Sequence, residues 1–476
     1  MIVHYISTEC YPVAKVGGLG DVTGALPKYL EADVAVILPR YDMPWFSGKT
    51  YTTIYGGHIP WPDKEVAFEI QEVTGHSLGF PFYVINIPEL FSRDGVYSGS
   101  DGVFYPDEAE RYCAFQRAYL EWVNSQEDLP DVIHCQDHHT GLIPFMMQYA
   151  DRYQRLSDVA TVFTIHNERY QGKFAWEKQY LLPAFDNWKS GLIDWDHMIN
   201  PLAAGVKCAD AVTTVSPSYM EELKHDAAGL EWLFKHESGK LHGILNGIDH
   251  TVWGPRTDHL LAHNLKRSVP KFKKDNKAHL LAGRGLDKQK PLVAFIGRLA
   301  VEKGADLLPA ICDLSISEGV DVNFIILGTG DKTIQAAIER VAQLYPDRIE
   351  AIIAYDERLA HEIYAGADYI IMPSRVEPCG LNQMYALRYG TVPIVHNIGG
   401  LKDSIIDIND PAGYGIKHDH LFISDLIDAM RRGEHLYNDT DRHREVVAAG
   451  MQRDFSWAHS ADQYRDLYLS VIKQKN

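Results

Sequence analysis

At 476 residues the chain is longer than one hydrophobic core usually supports, so two domains are the natural expectation. Its 46% apolar and 23% charged residues are those of a globular protein, and a formal charge of −18 argues against nucleic acid or an anionic membrane as the main partner. Any anion site must therefore be a local basic exception.

Short β-branched runs recur, each followed by a longer amphipathic stretch. In the first half they are Ile2–Ile6, Val34–Leu38, Phe82–Ile87, Val132–Cys135, Ala160–Ile165 and Ala211–Val215; in the second, Leu292–Ile296, Phe324–Leu327, Ile349–Ile353, Tyr369–Met372 and Val392–Val395. Runs of this length suit parallel strands buried on both faces, and their alternation with helical segments predicts doubly wound α/β sheets. Eleven strands are too many for one comfortable open sheet, so two are expected.

The boundary is expected near residues 246–290, where the turn Asn246-Gly247-Ile248-Asp249 is followed by a polar stretch. Arg256 to Lys290 carries ten Lys/Arg against three Asp/Glu and is read as a solvated helix and linker rather than a basic rim. The division adopted is 1–248, 249–455 and a terminal helix in 456–476 that packs back on the first domain. That helix shows apolar spacing from Trp457 to Ile472, with Ser456 as N-cap, and could serve an interface between copies of the chain as well as a hinge.

Cysteines 10, 113, 135, 208, 312 and 379 form no Cys-x-x-Cys pair, so free thiols and a cytoplasmic setting are expected. The chain opens directly on a strand with no leader-like pattern, and no window has the apolar length of a membrane span.

After the first strand comes Lys15-Val16-Gly17-Gly18-Leu19-Gly20-Asp21. Glycines here let backbone N–H groups approach an anion, and a helix beginning there adds the positive end of its dipole. Lys15 offers a full charge, and Asp21 can accept hydrogen bonds from a sugar hydroxyl. The spacing is not that of a dinucleotide fingerprint, the second strand ends in Pro39-Arg40 rather than an acid, and no Gly-Lys-Ser/Thr follows. Alone, the motif could equally be a structural tight turn. Pro27 predicts a kink or early end to the helix.

In the second half, Arg298 and Lys303 sit in a strand-to-helix loop, where open α/β sheets bind ligands. Arg can chelate phosphate bidentately and Lys acts as a point charge, so both suit a departing diphosphate. Tyr369–Met372 leads into Pro373-Ser374-Arg375-Val376-Glu377-Pro378-Cys379-Gly380-Leu381, where Glu377 is either catalytic or a helix N-cap. Gly399-Gly400-Leu401 offers a second anion nest. The two clusters read as halves of one site for an activated, phosphorylated ligand between two domains.

Other signals are weaker. Asp194-Trp195-Asp196 and Asp439-Thr440-Asp441 match a metal-binding Asp-x-Asp pattern outside its required context, and His134, His138 and His139 straddle a strand end. No metal is expected. Phe174, Trp176, Tyr180, Phe185, Trp188 and Trp195 are expected to be mostly core, with one or two exposed toward an acceptor.

With these residues in place, the chain resembles the bacterial glycogen and plant starch synthases, retaining glucosyltransferases of the two-domain GT-B architecture: two Rossmann-like parallel-sheet domains facing a central cleft. The resemblance spans nearly the whole chain. It rests on Lys15 to Val22, His134-Cys135-Gln136-Asp137, His166-Asn167, Gly243 to Asp249, Arg298 with Lys303-Gly304, and Pro373 to Leu381.

The resemblance implies roles. Lys15, Gly18 and Asp21 contact the sugar nucleotide from the first domain, while Arg298 and Lys303 hold the diphosphate from the second. Tyr355 stacks on the base. Asp137, His166 and Asn246 contact the transferred glucose. Glu377 holds or polarises it near the reacting carbon, and Cys379, Gly380 and Leu381 supply the backbone that meets phosphate. The implied partners are a nucleotide sugar, ADP-glucose or UDP-glucose, and an α-1,4-glucan; no cofactor is implied.

Many retaining transferases of this fold carry a second glutamate eight positions on; here that position is Tyr385. The resemblance then implies that retention comes from same-face attack assisted by the leaving phosphate. His396-Asn397-Ile398 stands where the family has an arginine and a threonine, and Glu168-Arg169 where it more often has apolar residues. These departures bear on nucleotide preference and acceptor contacts rather than reaction class. The competing readings are a related transferase making a small glycoside, which would not act on glycogen; a non-catalytic glucan-binding protein, which would tolerate loss of Glu377; and a nicotinamide-dependent oxidoreductase, which the glycine spacing disfavours.

Overall fold

The computed structural model describes residues 1–99 and 102–475. The chain divides into two compact units, the first made of residues 1–247 and 457–476, the second of residues 248–456.

The first unit holds a nine-stranded sheet and a small ribbon. Its strands are β1 (Ile2–Ile6), β2 (Asp33–Pro39), β3 (Thr50–Pro60), β4 (Glu65–Thr74), β5 (Phe82–Asn86), β6 (Val132–Gln136), β7 (Ala160–Ile165), the ribbon β8 (Asp194–Trp195) and β9 (Met198–Ile199), then β10 (Ala211–Thr214) and β11 (Leu241–Gly243). The sheet order is β11-β10-β7-β6-β1-β2-β5-β4-β3. β5 through β2, β1, β6, β7 and β10 to β11 pair parallel, whereas β4 and β3 join antiparallel at the edge. The sheet is therefore not wholly parallel: a long hairpin extends it. Chain order reverses between β1 and β6, so their carboxyl ends open the crevice where sheets of this kind take ligands.

The second unit repeats the plan without the hairpin. β12 (Leu292–Ile296), β13 (Asn323–Leu327), β14 (Ile349–Ile352), β15 (Tyr369–Met372), β16 (Val392–His396) and β17 (Ile416–His418) form an all-parallel sheet of order β14-β13-β12-β15-β16-β17. Here the reversal falls between β12 and β15.

β7 and β13 are buried end to end, as their apolar runs require. The helix after the glycine turn spans Gly18–Ala25 and gives way to a 3-10 turn at Leu26–Lys28, because Pro27 cannot donate the next helical hydrogen bond. The terminal helix, Trp457–Lys475, belongs to the first unit. Tyr468 Oη bonds His134 Nδ1 at 2.7 Å, and Lys475 pairs with Asp210 at 3.2 Å. The basic stretch is structural: Lys277 meets Asp368 at 2.6 Å, Arg284 meets Glu350 at 2.9 Å and Lys290 meets Asp321 at 2.6 Å. All six cysteines are free and buried, and no helix among the described residues is long and apolar enough to cross a membrane.

Candidate active site

At the carboxyl end of β12, the backbone turns through Gly297 and Arg298 and reaches Lys303-Gly304. Gly304 takes φ 67°, and a Cβ there would lie 1.9 Å from the Pro373 carbonyl. The loop after β12 is thus pressed onto the loop after β15, an approach only glycine permits. Asn382 Nδ2 donates to the Ile296 carbonyl at 2.7 Å, a second tie between the two strand ends. The result is contact between residues far apart in sequence: Lys303 Nζ donates to Glu377 Oε1 at 2.7 Å, and Ser374 Oγ donates to Glu377 Oε2 at 2.8 Å. Glu377 is buried, with both oxygens engaged. It does not cap a helix; the next one, Asn382–Arg388, begins five residues later with Leu381 at its N-cap.

Around this pair the turn is braced. Arg375 forms a bidentate bridge to Asp306 at 2.7 and 2.9 Å. The Gly400 N–H donates to the Glu377 carbonyl at 3.1 Å, and a Cβ on Gly400 would lie 2.1 Å from the Cys379 carbonyl. Cys379 is buried. Arg298 is largely exposed and pairs with Glu302, four residues on in the same loop. An exposed pair of this kind is worth about 0–1 kcal/mol, so Arg298 can exchange Glu302 for a phosphate at small cost. Tyr355 stands apart from the cluster, in the loop after β14 and 84% exposed, with its ring face free for stacking. Tyr385 is buried, its ring parallel to Trp253 at 3.7 Å between centroids.

In the first unit the glycine turn is organised by a residue the sequence reading missed. Glu9, buried just past β1, accepts from the N–H groups of Val16 and Gly17 at 2.6 and 2.8 Å, and from Tyr97 Oη at 2.7 Å. Burial raises its pKa, against the hydrogen bonds that lower it. Part of the turn's donor capacity is therefore spent on an internal carboxylate. The available signal was an acid in the strand-to-helix loop at the sheet's reversal point. Lys15 Nζ reaches Asp21 Oδ1 at 2.7 Å. Gly18 opens the helix, and a Cβ at Gly17 or Gly18 would meet nothing within 4 Å.

At the end of β6, Asp137 is held at φ 55° and ψ 178°. Such a conformation costs a non-glycine residue about 1–3 kcal/mol, and its persistence at a strand end points to a positional requirement. Its Oδ1 accepts from the His166 N–H at 2.7 Å. Burial pushes its pKa up to about 7. His166 Nε2 donates to Gln136 Oε1 at 2.8 Å, and burial lowers its pKa to about 3, so the ring is neutral. Asn246 is buried, and its Oδ1 has no partner among the described residues. The expected residues thus gather as Lys15 with Gly18 and Asp21, Asp137 with His166, and Lys303 with Glu377 and Cys379 to Leu381.

The set-aside signals have structural work. Asp194 accepts the Trp176 indole N–H at 2.7 Å, and Asp439 caps the helix Thr440–Met451. His134 is buried between Thr164 and Tyr468. The aromatic segment departs from expectation: only Phe174 is fully buried, and Trp188 is 93% exposed. The 3-10 turns of this stretch cannot bury one continuous face, as an α-helix would.

Two sheets of Rossmann order, each with its ionisable residues at the point of reversal, are the frame of a GT-B glycosyltransferase. Residues 2–236 match the family described as starch synthase catalytic domain, and residues 277–442 match glycosyl transferases group 1. The chain is 46% identical to a glycogen synthase of Flavobacterium johnsoniae, with all of both chains covered. It is 37% identical to one of Streptococcus pneumoniae, covering 99% of this chain and all of the other. Its structure is similar to the catalytic domain of starch synthase IV from Arabidopsis thaliana bound to ADP and acarbose, with TM-score 0.86, 31% identity and 99% of each chain covered. The chain belongs to the glycogen and starch synthase family.

Proposed function

We propose that this glycosyltransferase transfers glucose, with retention, from ADP-glucose to the non-reducing end of an α-1,4-glucan. The observation that carries the reading is Glu377 with one oxygen on Lys303 and the other on Ser374, at the reversal point of the second sheet.

Breaking the anomeric bond leaves an oxocarbenium-like sugar and a diphosphate with added negative charge. Lys303 and Arg298 supply fixed cations for the diphosphate, and the Glu377 carboxylate supplies negative charge for the sugar. The acceptor hydroxyl attacks from the face the diphosphate leaves, and a departing phosphate oxygen takes its proton. Position 385 is the tyrosine stacked on Trp253, so it offers no carboxylate for a covalent intermediate. Tyr355 takes the base, Lys15, Gly18 and Asp21 the sugar nucleotide, and Asp137, His166 and Asn246 the glucose. The reading assigns the neutralising charge to side chains and calls on no metal or cofactor. Free, buried thiols suit a reducing compartment, and the cytoplasm is part of the proposal.

ADP-glucose is favoured because the chain matches, at 31% identity over nearly its whole length, a synthase domain solved with ADP. The test is nucleotide release with glycogen as acceptor, ADP-glucose and UDP-glucose side by side, with Glu377→Ala as control. Release that requires glycogen, Glu377 and ADP-glucose is expected. Release from UDP-glucose alone overturns the donor; turnover with a small sugar but not with glycogen overturns the acceptor.

A further inference from the structure

His396 is a buried imidazole outside the residues assigned roles above, and the structure shows what it touches. His396 ends β16, and its Nδ1 lies 2.7 Å from the carbonyl oxygen of Ser374. A carbonyl only accepts, and both ring nitrogens face one; the Ser374 contact is the shorter by 2.7 against 3.3 Å, so the proton is assigned to Nδ1, which donates. The same Ser374 donates from its hydroxyl to Glu377 Oε2 at 2.8 Å. A short chain therefore runs from the imidazole through one serine to the carboxylate, and all three residues are buried.

The neighbours of His396 fix its ring. His418, its register partner on β17, lies parallel to it at 5.3 Å and 12°. Its Nδ1 faces the His420 carbonyl at 3.0 Å, and burial lowers its pKa to about 4, so it stays neutral. On the far side, His396 Nε2 lies 3.3 Å from the Asp419 carbonyl, and the Asp419 carboxylate is taken by Asn397 Nδ2 at 2.8 Å. The imidazole cannot swing away without losing the stack and the Ser374 bond together.

We propose that His396 is a positioning residue for transfer: its Nδ1–H fixes the Ser374 backbone, and through it the orientation of the Glu377 carboxylate. The inference rests on the role given to Glu377 above.

Geometry supplies the test. The side-chain amide of asparagine places its N–H where histidine has Nδ1; that of glutamine places it where histidine has Nε2. Glutamine is closer to histidine in volume, so a space-filling role favours glutamine and a positioning role favours asparagine. Full-length His396→Asn, His396→Gln and His396→Leu are compared with Glu377→Ala for kcat, donor KM and Tm. His396→Asn is expected to stay within about threefold of the parent in kcat. His396→Gln and His396→Leu should lose about tenfold, the scale of one hydrogen bond, with donor KM little changed. Should His396→Leu fail to fold, the asparagine and glutamine variants decide. Equal kcat in those two, or losses that only follow Tm, overturns the proposal. If Glu377→Ala keeps activity, the Glu377 reading itself falls; if it is inactive while His396→Gln and His396→Leu match the parent, only the inference about His396 falls.

Discussion

Lys303 and Glu377, seventy-four positions apart, meet at 2.7 Å where the second sheet reverses its strand order. The contact joins the two charge types the proposed chemistry calls for, a cation for the leaving group and an anion for the sugar. Each also holds the other in place. Lys303→Met leaves the buried carboxylate with only Ser374, and Glu377→Gln leaves the ammonium facing a neutral amide. Each single change should cost about 1–3 kcal/mol of stability and lower kcat about 10²–10³-fold. The double variant should be more stable than the sum of the singles predicts and barely slower than the worse one. A double-mutant cycle in both kcat and denaturation checks this; strict additivity would show that the two side chains act separately.

Tyr355 gives a prediction without a structural confound. Its ring is exposed, so Tyr355→Ala should leave Tm unchanged. If it stacks on the base, the substitution should raise donor KM about tenfold or more, since stacking of a base on an aromatic ring is worth about 1–3 kcal/mol. Tyr355→Phe should restore the parent value. A donor KM that ignores both substitutions removes Tyr355 from the site.

The pKa of Asp137 has a consequence for stability. The native state keeps a proton on this carboxyl up to about pH 7, whereas the unfolded chain releases it near 3.9. The stability contributed by the neutral form is thus complete below about pH 4 and is lost as pH rises through about 7. Asp137→Asn keeps the shape and an acceptor for the His166 N–H, and has no proton to lose. The gap in stability between variant and parent should widen in the variant's favour by up to about 4 kcal/mol from pH 4 to 8. Denaturation of both proteins across that range measures it, and a gap independent of pH would contradict the shift.

Much of this architecture is legible in the sequence because buried parallel strands leave a plain mark. Ala160–Ile165 and Asn323–Leu327 are largely apolar runs since both faces are covered by protein. The hairpin Thr50–Pro60 and Glu65–Thr74 leaves a fainter one. The first of these strands is almost entirely exposed and reads as a polar stretch. Only the alternation of Val66, Phe68 and Ile70, after the Pro62-Asp63 turn, announces the second. In the site, motif residues were readable one cluster at a time, but their partners were not. Glu9 on the glycine turn, Ser374 on Glu377 and Glu302 on Arg298 are relations of tertiary structure. Local spacing carries no record of them.

The glycines separate packing from function. Gly400→Ala would bring a Cβ within 2.1 Å of the Cys379 carbonyl and 2.4 Å of its Cα, so the turn carrying Glu377 and Cys379 must move. This variant should lose both stability, by about 1–3 kcal/mol, and activity. Gly17 is the opposite case. Its φ is −141°, which any residue adopts, its N–H to Glu9 survives substitution, and an added Cβ meets nothing within 4 Å. Gly17→Ala should therefore keep or slightly raise Tm, by restricting the unfolded chain. If the open space beside it is where the sugar nucleotide lies, the same variant should raise donor KM or lower kcat. A variant that is stable and slow places the ligand against Gly17. One that is stable and fully active means the glycine turn is shaped by Glu9 alone, and the donor lies elsewhere.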